Sequence, residues 1–157
     1  MQLIIEKNDF ITPRVISILG EFGEKEARFL KILSEQDKFR MPYSELLIIS
    51  PDEKSYRVLS RKVLCTENSE ILLDYDSAID TLVSLGLIRL EENKKFVADY
   101  YKNQHSMIEN KLNSQDWHKA LLPGERLDIR CSSLHTTILG KDFINNIVID
   151  SEFQISN

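Results

Sequence analysis

Arg130 and His135 are the residues whose types and spacing come nearest to a catalytic pair. They match the R-x4-H spacing of a small ribonuclease class in which both side chains act on RNA at a helical dimer interface. Here, however, Leu127, Ile129 and Cys131 alternate with polar residues, which predicts a half-buried β-strand. Because side chains along a strand alternate between faces, the two groups should lie far apart and on opposite faces. We interpret the spacing as a chance match, and a ribonuclease is our least favoured functional hypothesis.

Other residues that commonly bind metals or phosphates are scattered along the chain. His105 and His118 have no cysteine or paired carboxylate at ligand spacing. Cys65 and Cys131 are far apart and are expected to be reduced, partly buried thiols. The five glycines are isolated from one another, so no phosphate-binding loop is predicted. We therefore expect no metal site, no cofactor and no enzymatic activity.

A group of basic residues is the candidate contact for an anion or a nucleic acid. The residues from Ser50 to Glu53 resemble a capping box with a proline in the first turn, which predicts a helix to about Cys65. On that helix four basic side chains would share one face, although such a stripe is more often a solvated helix face. These residues are Lys54, Arg57, Arg61 and Lys62.

Trp117, the only tryptophan, is the candidate contact for a protein partner. It stands with Leu121 and Leu122 near the end of a polar stretch that is rich in Asn, Lys and Gln. Its indole either packs this stretch onto the core, which is the more common outcome, or anchors a partner as an interface hot spot. Both interpretations stay open at the level of the sequence.

The elements that must position these residues are predicted mainly as helices. Thr12 and Pro13 supply a hydroxyl cap and a proline at the first helical position, where its missing N–H costs nothing. Gly86 can end a helix with a positive φ, and the predicted strand Leu87–Leu90 follows it. Predicted helices run from Pro13 to about Gly20, from Glu24 to about Gln36, from Pro51 to about Cys65, from Asp74 or Asp76 to about Leu85, and from about Leu139 to Ile149.

The order of these elements is that of a winged helix. Leu87–Leu90 and a return strand within Leu127–Ile138 would form the wing hairpin, and residues 91–124 would be an insertion between its strands. Part of that insertion is predicted as a surface helix. We therefore predict a single domain over residues 1–157 that is mainly α, with a small antiparallel β-hairpin. The short apolar run at Met41–Ser50 cannot be assigned by its period.

Three patches of the sequence carry a family resemblance. They read FITPRVISILGEFGEKEARFLKIL at residues 10–33, LVSLGLI at 82–88 and LHTTILGKDFI at 134–144. The patches resemble the C-terminal part of the Abi-alpha family of bacterial proteins, which is linked to phage abortive infection; His135 interrupts the family pattern in the third patch. The resemblance implies a cytoplasmic protein and offers no catalytic residues to carry over.

The charge and hydropathy of the chain argue against a membrane protein, a secreted protein and a sequence-specific DNA-binding protein. The net charge is −5, no apolar run approaches a membrane span, and no signal peptide is recognised, so we expect a cytoplasmic protein. The predicted recognition helix contains Asp76 and Asp80 and no Lys or Arg, so we expect no sequence-specific DNA binding. The favoured hypothesis is a non-enzymatic module that binds an unidentified protein partner in phage defence. The alternative is a winged-helix nucleic-acid-binding regulator, and the oligomeric state stays open.

Overall fold

A computed structural model describes residues 10–148, which are built around one antiparallel sheet. Its six strands are β1 (Arg40–Ile49), β2 (Tyr56–Val58), β3 (Val63–Cys65), β4 (Ile71–Leu72), β5 (Ile88–Glu91) and β6 (Arg126–Thr136). The strands lie in the order β4-β3-β1-β6-β5, and β2 pairs with the C-terminal part of β1 on the edge that β3 also uses. The long pairing of β1 with β6, from Arg40–His135 to Ile49–Arg126, forms the centre of the sheet.

Helices cover both faces of this sheet. Along the described residues the α-helices are α1 (Pro13–Gly20), α2 (Glu24–Ser34), α3 (Asp76–Ser84), α4 (Asp99–Asn113) and α5 (Ile138–Phe143), the last continued by a π-helical segment at Ile144–Val148. Single 3-10 turns occur at Asp37–Phe39 and His118–Ala120. The Thr12 hydroxyl accepts a hydrogen bond from the Val15 N–H at 3.3 Å, which confirms the predicted cap of α1.

The two faces of β1 contribute to two separate hydrophobic cores, because side chains of a strand alternate between faces. On one face Met41 and Tyr43 are fully buried against the layer of α1, α2, α3 and α5. On the other face Leu46 is buried against α4. Fully buried members of the first core include Phe29, Leu30, Leu33, Ile79, Leu82, Leu87, Leu134 and Phe143, and the second core adds Val63, Cys65, Ile108 and Leu112.

The predicted glycine turn and the strand after it are confirmed. Gly86 has a φ of 77° immediately after α3, a conformation that L side chains rarely adopt. The β5 strand that follows pairs antiparallel with β6, in a register from Ile88–Thr136 to Glu91–Ser133. At the next connection, a Cβ on Gly140 would collide with the Leu87 carbonyl, so α5 can pack closely against this junction only because Gly140 has no side chain.

The winged-helix prediction, mainly α with a small hairpin, is wrong. Met41–Ser50, the run that could not be assigned by period, is almost entirely the central strand β1, and it brings β2, β3, β4 and β6 into one large sheet. A strand buried on both faces loses the alternation that identifies half-buried strands, which is why its pattern was ambiguous. Residues 91–124 hold α4, whose Tyr101, Ile108 and Leu112 are buried. This helix is a second layer against the sheet, and only its outer face is at the surface.

The predicted helix to Cys65 is also wrong. Residues 50–55 form the turn of a β-hairpin, in which the Ser50 N–H donates to the Ser55 carbonyl at 3.0 Å. The Ser50 hydroxyl and the Asp52 carboxylate bond each other and nearby backbone N–H groups within the turn. The same side-chain-to-backbone bonds can cap a helix or close a turn, so the local signal was real but did not specify a helix. The final predicted helix begins at Ile138, and its predicted end at Ile149 lies outside the described residues.

Candidate functional site

The four predicted anion contacts do not form one basic face. Arg57 lies on β2, Lys62 lies just before β3, and Lys54 and Arg61 lie in the connecting segments. Most of their charge is met by nearby acidic groups: Arg57 contacts Glu125 at 3.1 Å, Arg61 contacts Asp74 at 3.0 Å, and Lys62 contacts Asp76 at 3.6 Å, Glu45 at 3.8 Å and Asp80 at 3.9 Å. The exposed Lys54 lies in the β1–β2 turn.

The structure does not bring Arg130 and His135 together. Arg130 lies beside Glu45 and Tyr56 on the sheet face that α3 covers, whereas His135 lies beside Phe96 on the α4 face. Both residues belong to β6, and their odd separation along an unbroken strand places their side chains on opposite faces. The expected separation of the R-x4-H pair is therefore confirmed.

Arg130 is instead the end of a buried charge row, which we define as Lys62, Glu45 and Arg130. Glu45 accepts from Arg130 at 2.5 Å and lies 3.8 Å from the Lys62 ammonium. Glu45 and Arg130 are cross-strand neighbours, and each is less than a tenth exposed. Burial lowers the pKa of the Arg130 guanidinium, but the hydrogen bond and charge of Glu45 outweigh burial and hold the pKa above its usual value. Glu92 lies 3.2 Å from Arg130, and Asp76 and Asp80 lie beside Lys62, so both cations of the row are paired with carboxylates within and around it.

A second row crosses the sheet on its other face, at one end of the β1–β6 ladder. Arg40 on β1, His135 on β6 and Arg89 on β5 are successive cross-strand neighbours, so their side chains share the α4 face. We call these three residues the histidine row. The His135 ring bonds the Ser133 hydroxyl at 2.9 Å and lies 3.8 Å from the Glu91 carboxylate. Burial, opposed by the Glu91 charge, lowers the pKa of His135.

Aromatic rings hold the histidine row in place. The Arg40 guanidinium donates to the Tyr101 hydroxyl at 2.8 Å and lies 5.1 Å from the centre of the Phe96 ring. Phe96 stacks on Tyr101 with ring centres 4.3 Å apart and packs against His135 at 5.4 Å. Such contacts fix the direction of a long side chain that would otherwise sample many rotamers.

The predicted partner residue, Trp117, separates two open clefts beside the C-terminal end of α4. Its indole N–H donates to the Leu112 carbonyl at 2.7 Å, and its ring packs against the second core. The larger cleft, which we call the Trp117 cleft, has a volume of about 440 Å³. Its lining combines an apolar floor with polar walls: Leu46, Leu127 and Ile129, then Glu109, Asn113, Gln115, His118 and Asp128. A smaller cleft of about 200 Å³ lies on the other side of the indole.

A sequence profile of the family described as abortive infection alpha matches residues 3–147. The chain belongs to this family. The match covers nearly all of the chain, so the membership does not depend on the three patches that first indicated it and is not confined to a C-terminal part. The resemblance stated from the sequence is confirmed.

One solved structure is similar to this family member. It is described as an uncharacterized protein from the hydrocarbon-degrading marine bacterium Alcanivorax borkumensis SK2, with a TM-score of 0.48 and 20% sequence identity. The similarity covers 84% of this chain and 90% of that chain. No curated protein sequence matches the abortive infection alpha chain significantly.

Other groups that could carry chemistry in this family member are dispersed. Within residues 10–148, no three or more His, Cys, Asp or Glu side chains are placed to hold a metal ion together. Both cysteines are free thiols, and burial raises the pKa of Cys65 to about 11, which keeps that thiol protonated. No helix in the described part of the chain is long and apolar enough to cross a membrane.

The histidine row is the group that sequence reasoning missed. Its three residues lie in separate parts of the sequence, and only the registers of β1 with β6 and of β5 with β6 make them neighbours. The sequence did show Arg89 in a short strand and His135 in an alternating segment. It did not show which strand pairs with which, because Met41–Ser50 could not be assigned.

Proposed function

We propose that this abortive infection alpha protein acts in cytoplasmic phage defence by binding another protein, without catalysing a reaction itself. The Trp117 cleft is the binding surface. The observation that carries this proposal is the position of the Trp117 indole, which forms a wall between two open clefts while its N–H is held by the Leu112 carbonyl.

An indole held in this way suits partner binding for an energetic reason. Binding costs conformational entropy for each side chain that must be ordered, and a side chain that is already ordered avoids that cost. Tryptophan also offers a large apolar surface, and it is among the residues most enriched at interface hot spots. The apolar floor of Leu46, Leu127 and Ile129 offers further apolar surface to an inserted side chain.

The charges of the cleft define the chemistry of the partner. Glu109 and Asp128 line it, and each is met by one cation at the edge of ion-pair range: Glu109 by Lys95 at 3.6 Å and Asp128 by Arg126 at 3.7 Å. These exposed pairs are weak and can exchange partners. A protein segment with an apolar side chain beside a Lys or Arg therefore fits the cleft, since its cation can contact a carboxylate while its apolar side chain meets the indole.

The rival hypotheses lose their structural basis. A winged-helix regulator requires a wing and a recognition helix, but the sheet is not a wing. The helix predicted for DNA readout contains no Lys or Arg, and its Asp76 and Asp80 occupy the nearby Lys62, so no cation there is available to a phosphate. A ribonuclease using Arg130 and His135 would need two side chains on opposite faces of a sheet to meet at one phosphate.

Site-specific photo-crosslinking in the bacterial host tests the proposal. A benzophenone amino acid replaces Asn113, which lines the Trp117 cleft, and in a control it replaces Ile16, which is exposed on α1 across the sheet. We expect a discrete protein adduct only from position 113. Mass spectrometry of the adduct should place a Lys or Arg next to an apolar residue in the crosslinked segment.

Substitutions in the crosslinking protein, expressed in the same host, decide whether the Trp117 cleft forms the adduct. Trp117→Ala should reduce the yield of the adduct at least about tenfold, the cost typical of a lost hot spot. Trp117→Phe keeps an aromatic ring against the second core in case the alanine variant unfolds, and Asp128→Asn should cause a smaller loss. Leu122→Ala removes an exposed side chain nearby and should change nothing. An adduct that persists in a folded Trp117→Ala protein would overturn the proposal.

A further inference from the structure

The histidine row has an unfavourable arrangement of charge for a purely structural feature. Arg40 and Arg89 flank His135 on adjacent strands, so groups that carry or can acquire positive charge stand side by side on one face. Arg40 and Arg89 are two strands apart, and His135 between them carries no negative charge, so nothing within the row offsets their repulsion. Residues that depart from the local pairing of charges are most often found at functional sites.

The acidic groups nearby compensate this charge only in part. Glu91 lies 3.4 Å from Arg89, 3.5 Å from Lys94 and 3.8 Å from the His135 ring, so a single carboxylate serves all three groups. Arg40 meets Asp37 only at 4.0 Å, the limit of an ion pair. Three permanent cations, Arg40, Arg89 and Lys94, thus face two carboxylates, in a chain whose net charge is −5.

The same groups are suited to one class of ligand. A guanidinium presents a planar set of N–H donors that matches the oxygens of a phosphate group, and an ammonium adds a point charge. The Arg40 guanidinium is already oriented by the Tyr101 hydroxyl and the Phe96 ring. Arg89 and Lys94 are more than half exposed, so an anion can reach them from solvent.

We propose that the histidine row, together with Lys94, binds a phosphoryl group. Arg40 and Arg89 contact its oxygens from either side of His135, and Lys94 contributes its ammonium. In the empty site Glu91 forms ion pairs with Arg89 and Lys94, and the phosphoryl group replaces Glu91 as their partner when it binds. This activity is independent of the Trp117 cleft, because the two sites lie at opposite ends of α4 and share no residue.

Calorimetry and amide NMR with pyrophosphate as the probe test the inference, at a salt concentration of about 0.05 M to limit screening. We expect saturable binding with shifts concentrated at the amides of Arg40, Arg89 and His135. Arg89→Gln should weaken binding about tenfold, since a hydrogen bond between charged groups is lost. Arg89 is exposed, so this variant should stay folded. The matched control is Arg126→Gln, which removes an exposed arginine at the other end of β6.

Glu91→Gln provides a test in the opposite direction. Because it removes the carboxylate that competes for the cations, it should tighten pyrophosphate binding several-fold, whereas Glu53→Gln, which removes the carboxylate beside the control Arg126, should have little effect. Equal weakening by Arg89→Gln and Arg126→Gln, no saturable binding, or unchanged affinity in Glu91→Gln would each overturn the inference. A parallel titration with ADP identifies the source of the phosphoryl group. Tighter binding of ADP than of pyrophosphate indicates a nucleotide, and equal binding indicates recognition of the phosphoryl group alone.

Discussion

The buried charge row and the histidine row lie on opposite faces of the same two paired strands, the first near the middle of their ladder and the second at one end. In the buried charge row, Glu45 stands between Arg130 and Lys62, so positive and negative groups alternate. In the histidine row, Arg40 and Arg89 stand on either side of His135, so no carboxylate separates the cations within the row. The same ladder therefore carries one arrangement of charge that is fully paired and one that is paired only in part.

Burial explains why the two rows differ. Charges removed from water must be paired and hydrogen-bonded, because an unpaired buried charge costs several kcal/mol. Glu45 and Arg130 are almost fully buried and are paired accordingly. Arg89 is 62% exposed, and water can stabilise a cation that the protein leaves partly unmatched. Solvent access thus permits an arrangement that can bind a ligand, whereas burial requires one that only holds the sheet together.

The largest loss of folding stability is expected from Glu45→Gln. This change leaves the buried Arg130 with only the half-exposed Glu92 carboxylate as an ion-pair partner, and it should lower the free energy of unfolding by about 3 kcal/mol. Urea denaturation followed by circular dichroism measures it. The double variant Glu45→Leu with Arg130→Met removes both charges and should recover most of the loss. If the single variant is as stable as the parent, the compensation we assign to the buried charge row is not required for stability.

An intermediate loss of folding stability is expected when the pH is lowered, and it should arise from histidines on the α4 side of the sheet. Burial lowers the pKa of His105 and of His135 in the folded protein, so below about pH 6.5 the unfolded chain binds more protons than the folded chain. Stability should therefore fall as the pH drops from about 6.5 towards the lowered folded values. Unfolding titrations at a series of pH values measure this slope.

Replacing His105 and His135 with glutamine should flatten that slope. Arg130 should contribute nothing in this window, because its pKa is raised and lies far above it. A slope that stays the same in the doubly substituted protein would place the proton-sensitive groups elsewhere.

The smallest change in folding stability is expected from Arg89→Gln. Because it relieves repulsion within the histidine row and removes only an exposed ion pair, the free energy of unfolding should stay within about 0.5 kcal/mol of the parent or rise slightly. A thermal melt is sufficient to measure it. Arg89→Gln should therefore weaken pyrophosphate binding at almost no cost in stability. A large loss of stability would show that the histidine row, like the buried charge row, holds the sheet together.

Local sequence signals predicted a good part of the helical layer. The Thr12 cap, the acidic first turn of α2 and the turn at Gly86 each depend on residues within a few positions of one another, and each is found in the structure. The β5–β6 pairing was also predicted, from two short strand patterns. What these signals could not supply was the size of the sheet, because the central strand β1 is buried on both faces and shows no period of two.

The candidate sites were less predictable than the fold. Trp117 was identified from its residue type alone, and the structure adds that its ring both packs on the second core and borders two clefts. The basic group from Lys54 to Lys62 was misplaced because its helix does not form. The R-x4-H spacing was correctly set aside, yet His135 does have arginine neighbours, Arg40 and Arg89, from other strands.

The sequence by itself determined the extents of α1, α2 and α3, the glycine turn and the family of this protein, since these depend on residue types at short spacing. The tertiary structure decided which charges meet. A one-residue shift of β6 against β1 would bring neither Glu45 opposite Arg130 nor Arg40 opposite His135. That register is fixed by burial on both faces of the central strand, which is a property of the whole packed sheet and not of any short segment.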